Sequence, residues 1–311
     1  MGDTRRLSFS PGKDSCGLKP RHDNTPAGHT CCDLVAYAAL AVPWQAVSEM
    51  RRQPGPPGTA PLPTNLLKHA DEQTIVGLSA ILHATADHNL QDVSVTNWGV
   101  LAAPRLLARS AMIVSLQRFL AEGAWGVSPH MIPHRSLHST SGTISHALKI
   151  HGPNFGVGGG PEGAVEVLLA AVALLERRPM PGLWVVWTAQ EPEGPLDADG
   201  RGDPNTVCRG LAVALTPPRP NAPRFRLHVA VNVTPAQDMP DIAGHLSDYF
   251  YLETMLNAIG PARKLGRDIA PGVRVELEWA GPHAGVSGAA PPRTGPAVNG
   301  SCRPAGAEIK R

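Results

Sequence analysis

The chain lacks a Cys-x-x-Cys pair, a surplus of either charge, and any apolar run long enough to cross a bilayer. Each absence removes a class of function. The five cysteines (Cys16, Cys31, Cys32, Cys208 and Cys302) are odd in number and mostly sit toward the ends. Neither a disulfide framework nor a thiolate metal site is therefore expected, and a reducing cytoplasm suits them best. With 28 basic and 26 acidic residues the net charge is +2, so no broad field draws in nucleic acid or an anionic membrane, and neither is expected as a partner. Met1 to Asp33 is polar, the wrong order for a secretory leader, and Leu34 to Val42 is too short an apolar run to span lipid.

Glycine and proline are abundant, at 32 each, and hydrophobic residues make up 42% of the chain. That apolar share is enough for a core in a chain of 311 residues. Residues 1–32 and 281–311 are rich in Gly, Pro, Ser and charge without an apolar period, which predicts disordered ends around one folded domain, 33–280. Five prolines between Gln53 and Pro63 predict an irregular connection.

Inside the body, strand and helix patterns alternate. Strands are predicted at Leu34–Pro43, Val93–Leu101, Leu183–Thr188, Leu211–Thr216, Arg226–Val233 and Val273–Trp279. A helix capped by Thr64-Asn65 is expected to reach about Leu90, and another to run from Pro104 to Gly123 with Leu107, Ala111, Val114, Phe119 and Leu120 inward. Further helices are expected at Thr143–Ile150, Ala164–Glu176 (buried all round) and near Ile242–Ile259. Such alternation implies an α/β layered domain with a largely parallel sheet.

The stretch from His151 to Ala164, HGPNFGVGGGPEGA, reads as a strand entering a glycine elbow that opens a helix. A helix N-terminus offers free N–H groups and a positive dipole end to a developing oxyanion. An acyl transfer also needs a nucleophile at the apex. Gly158, Gly159, Gly160, Pro161, Glu162 and Gly163 supply neither thiol nor hydroxyl, so no catalytic residue is assigned.

Three blocks in this order resemble the β-ketoacyl synthase family of the thiolase-like fold: Leu67-Lys68-His69-Ala70-Asp71, Val127-Ser128-Pro129 through Pro133, and Ser141-Gly142-Thr143-Ile144-Ser145 leading to Gly152-Pro153-Asn154 and the elbow. The resemblance runs from about Leu66 to Thr216 and implies a layered thiolase-like fold, the N-terminal half of a ketosynthase with a reduced C-terminal extension. Active members carry their cysteine where this chain has Gly159-Gly160-Pro161, and they draw two histidines and a lysine from a second half. Here only Gly244-His245 echoes that half, with Pro240 where a lysine would stand. The pattern is similar to chain-length factors, partners of active ketosynthases in polyketide, aryl-polyene or fatty-acid-type biosynthesis. It implies a heterodimer with an active ketosynthase, or a homodimer, and contact with an acyl carrier protein through the partner. It also implies an interface or acyl channel at Met131, Ile132, Pro153, Asn154, Phe155 and Val157. No cofactor is implied.

Other readings compete for the same residues. Gly158 to Gly163 fits G-x-G-x-x-G, although its strand does not open a βαβ unit and Glu176 is too near to serve a ribose. His130, His134, His138 and His146 have helical spacing for metal ligands, but Pro129 and Pro133 oppose a regular helix, and no metal site is expected. Ser139 or Ser141 beside His138 or His146 could form a serine nucleophile, giving a stand-alone acyltransferase or hydrolase, as could His245 as a base; helix capping explains the hydroxyls as well. An interaction scaffold that never touches acyl groups is a third possibility. Trp184 and Trp187 are expected to pack in the core, and Glu162 to complement a helix N-terminus.

Overall fold

The structure is a computed structural model that describes residues 28–63, 65–129, 131–197, 199–200, 202–219, 225–231, 249–259 and 264–279. Eight strands form one sheet: β1 (His29–Pro43), β2 (Gly99–Pro104), β3 (Asn154–Gly156), β4 (Leu183–Glu191), β5 (Val207–Thr216), β6 (Phe225–Val231), β7 (Lys264–Ala270) and β8 (Val273–Trp279), in the order β3-β2-β4-β5-β1-β6-β8-β7. The helices among the described residues are α1 (Val47–Met50), α2 (Glu72–Asp87), α3 (Arg109–Glu122), α4 (Met131–Arg135), α5 (His138–Leu148), α6 (Gly163–Arg177) and α7 (Tyr251–Ala258).

The α/β layered class is as expected, but the sheet is mixed. Only β3, β2 and β4 run parallel, while the pairs β4–β5, β5–β1, β1–β6, β6–β8 and β8–β7 are antiparallel. A parallel return needs a long crossover, usually a helix. No helix lies in the described part of the β4–β5 connection, and β7 turns into β8 through Gly272 at φ +73°, so the chain reverses at both places.

Helices cover both faces of the sheet centre. Along β4, Leu183, Val185, Trp187 and Ala189 join one apolar layer with α6 and α7, and Trp184 and Val186 join the other with α2. This is the two-residue alternation of a strand buried on both faces. On β1 the alternation changes phase: Cys32 and Leu34 belong to the first layer, Ala36 and Ala38 to the second. A register shift between Leu34 and Ala36 explains it, because one extra residue turns every later side chain to the opposite face.

Several predicted boundaries move. Residues 29–32, expected to be disordered, enter β1, whereas 1–27 and 280–311 lie outside the described residues. Residues 93–98 precede β2 rather than belonging to it, and Pro104 closes β2 instead of opening a helix. The strand β7 was not predicted. Helix α6 buries one face, Ala164, Val167, Leu168, Ala171 and Val172, rather than its whole circumference. Helix α5 starts five residues early at His138 and takes Ser139 and Ser141 into its interior, so they cap nothing at Thr143.

The start of α2 also shifts, from Thr64-Asn65 to Asp71, whose carboxylate accepts the Gln73 N–H at 2.9 Å and pairs with Arg135 of α4 at 3.1 Å. Burial raises the Asp71 carboxyl to about 6, Glu72 adding to the effect while the Gln73 N–H and Arg135 oppose it. The folded state then holds this proton more tightly than the unfolded chain, so stability from this group is greatest below about pH 4 and lost as pH rises through about 6. Asp71→Asn keeps a capping side chain and removes the titration. Relative to wild type, the variant is expected to gain on the order of 2 kcal/mol between pH 4 and pH 7. Urea unfolding at both values measures it, and an unchanged difference would refute the burial argument.

Candidate functional site

Strand β3 pairs with β2 from Val100↔Asn154 to Ala102↔Gly156 and lies at the sheet edge, its outer side without a strand partner among the described residues. Its side chains divide by role. Phe155 is 47% exposed, whereas Val157 packs on the first core layer and its N–H donates to the Ala102 carbonyl at 2.8 Å. Asn154 is half-buried, its Nδ2 donating to Ser145 Oγ at 3.4 Å, and the Pro153 carbonyl accepts from Val100 N. At Gly156 a Cβ would overlap the Leu137 carbonyl, which fixes the strand against the start of α5.

Beyond β3 the chain turns through Gly158 at φ +75° and Gly159 at φ +109°, backbone angles that disfavour side chains. Gly158 lies against Gly163 so closely that a Cβ would overlap the Gly163 Cα. The Gly159 carbonyl accepts from Leu106 N at 3.0 Å. Helix α6 follows, with Glu162 as its first flanking residue in helical backbone geometry and no capping bond from the Glu162 side chain. Glu162 thus complements the helix dipole by position alone. The elbow is present in every backbone respect: strand, left-handed glycines, helix N-terminus. At its apex, a Cβ on Gly160 would meet nothing within 4 Å.

Beneath the elbow lies a set that sequence reasoning missed. Tyr249 donates its hydroxyl to the Ala103 carbonyl at 2.6 Å and sits against Gly163, and burial holds that phenol protonated. The Arg105 guanidinium stands 5.5 Å from the Tyr249 ring centre and 2.9 Å from Glu193 as an ion pair off the line of a hydrogen bond. Gln73 joins the set from α2, donating to the Arg105 carbonyl at 2.9 Å and accepting from Thr188 Oγ1 at 3.0 Å. Two of the chain's three tyrosines fall in the Tyr249-Phe250-Tyr251 run; that concentration was the available signal.

The competing nucleophile fares poorly. Ser141 Oγ is 3.3 Å from His138 Nδ1, but it also donates to the His138 carbonyl at 3.1 Å, a bond inside its own helix. No carboxylate orients His138 among the described residues. Gly244-His245 and Pro240 lie outside those residues, as does His130. Met131 and Ile132 fall in the short helix α4, which forms despite Pro133. His134 of α4 has its ring 5.5 Å from that of His69, and no three His, Cys, Asp or Glu gather among the described residues. Trp184 and Trp187 are buried, and Trp187 Nε1 donates to the Ala164 carbonyl at 3.1 Å.

Helix α3 departs furthest from expectation, since none of its residues is buried. Leu116, Phe119 and Leu120 are 56%, 51% and 82% exposed, and Trp125 just beyond is 98% exposed. Periodicity marks an apolar stripe without saying what covers it. Met112, Leu116, Phe119, Val127, Pro129 and Arg135 line a groove of about 660 Å³ on this stripe. Arg135 and Ser136 of that lining lead directly to Leu137, the residue that touches β3.

No family model and no curated protein matches the chain. Solved structures do. The chain is similar to ketosynthases and chain length factors. One is the ishigamide ketosynthase/chain length factor, 16% identical over 66% of this chain and 68% of that one, with a TM-score of 0.44. A second is a ketosynthase in complex with its chain length factor from Xenorhabdus doucetiae, 13% identical over 79% of this chain and 98% of that one, TM-score 0.46. A third is a β-ketoacyl synthase from Burkholderia phymatum, 10% identical over 61% and 59%, TM-score 0.43. No helix among the described residues is long and apolar enough to cross a membrane.

Proposed function

We propose that the chain is a non-catalytic ketosynthase-like subunit, similar to a chain-length factor, that pairs with an active β-ketoacyl synthase in polyketide, aryl-polyene or fatty-acid-type biosynthesis. The observation that carries this reading is the elbow: its strand, left-handed turn and helix N-terminus are all kept, while the apex carries only Gly159, Gly160, Pro161 and Glu162. Without a thiolate no acyl-enzyme forms there, so the fold serves by shape and contact. The partner supplies the cysteine and receives the acyl carrier protein. The exposed β3 edge with Phe155 and the uncovered α3 stripe form the contact face, and their exposed apolar area is the kind that marks an interface.

Co-expression with a cysteine-bearing ketosynthase tests the proposal. A tag on this chain is expected to retrieve the ketosynthase in a 1:1 complex, and Leu116→Glu with Phe119→Glu to abolish retrieval while leaving the thermal melt of the free chain unchanged. A well-behaved monomer that retrieves no ketosynthase overturns the heterodimer reading, and so does covalent trapping of an acyl thioester on the isolated chain.

A further inference from the structure

A second cavity, separate from the α3 groove, lies between the end of β1, the start of α3 and the loop after β4. It encloses about 440 Å³, and its lining includes Trp44, Arg109, Ser110, Gln190, Asp203 and Thr206, a volume in the range of small-molecule sites. Three features of this wall share one chemistry. Helix α3, 14 residues long, begins without a side-chain cap, its flanking Ala108 held at φ +62°, so its first N–H groups are left to another acceptor. Arg109 spends one guanidinium nitrogen on the Gly194 carbonyl at 2.8 Å and keeps the rest for the cavity. Gln190, 7% exposed, lines the same space. Asp203 also lines the cavity, its Oδ1 accepting from Asn205 N at 2.7 Å.

We infer that this cavity binds a small molecule through an oxyanion, carboxylate or phosphate, held by the α3 N-terminus, Arg109 and Gln190, with its apolar part against Trp44. The inference does not rest on the ketosynthase reading, and the two fail separately. Calorimetric titration of the whole chain with benzoate, phenyl phosphate and neutral benzyl alcohol tests it. At least one anion is expected to bind about tenfold or more tighter than the alcohol, and the better anion identifies the headgroup. Arg109→Met is expected to weaken that binding about tenfold or more, as loss of a charge-assisted bond requires. Gln190→Leu, which leaves α3 and Gly194 untouched, is expected to weaken it about threefold or more. Equal binding of alcohol and anions, no binding of either anion at millimolar concentration, or full affinity in both variants would overturn the assignment.

Discussion

Trp187→Ala is expected to cost about 3–5 kcal/mol of unfolding free energy, enough to leave little of a marginal domain folded. Trp187 is 1% exposed at the centre of the sheet, in the layer shared with α6 and α7. Removing the indole deletes the packing and opens a cavity between β4 and α6. It also leaves the Ala164 carbonyl, at the first turn of α6, without the Nε1 donor that now lies 3.1 Å away. That second loss concerns the elbow. Trp187→Phe keeps most of the volume and drops the hydrogen bond, for which a smaller loss of about 1–2 kcal/mol is expected. Urea midpoints for the two variants separate packing from anchoring, and equal losses would show that the hydrogen bond, not the volume, dominates.

What could be read from the sequence follows a physical rule visible at particular residues. Strands β4 and β5 were legible because Leu183–Thr188 and Leu211–Thr216 are apolar, β-rich runs, and β8 because Val273–Trp279 alternates apolar with charged residues at the strand period. The glycine elbow was legible because left-handed backbone selects glycine locally. Features decided by distant residues were not. Asp71 took the cap of α2 from Thr64-Asn65 partly through Arg135, 64 positions away, and the phase change at Val35 depends on two different partner strands, β5 and β6. The apolar stripe of α3 was seen correctly and its direction wrongly, since the pattern does not carry the identity of the covering surface. At the site, Arg105, Glu193 and Tyr249 come from three separate segments, and their convergence exists only after folding.

The elbow glycines are expected to respond oppositely to the same added methyl group. Gly158→Ala places a Cβ on backbone at φ +75° and drives it into the Gly163 Cα; left-handed strain of about 1–2 kcal/mol and overpacking of about 1–3 kcal/mol then add, for a loss of about 3 kcal/mol. The nearest atom, the Gly163 Cα, belongs to backbone and cannot yield cheaply. Gly160→Ala meets open space within 4 Å and a φ outside the left-handed range, so a change within about 0.5 kcal/mol is expected, as for an ordinary surface substitution. Gly160→Cys is expected to be equally tolerated and to react with iodoacetamide in the folded state, since its thiol would face that space. Urea denaturation reads the first two variants and intact mass the third. A tolerated Gly158→Ala would show that the turn is loose, and an unreactive Cys at 160 would show that the apex is covered. The expected pattern instead describes a rigid turn whose apex has room for a side chain and carries none.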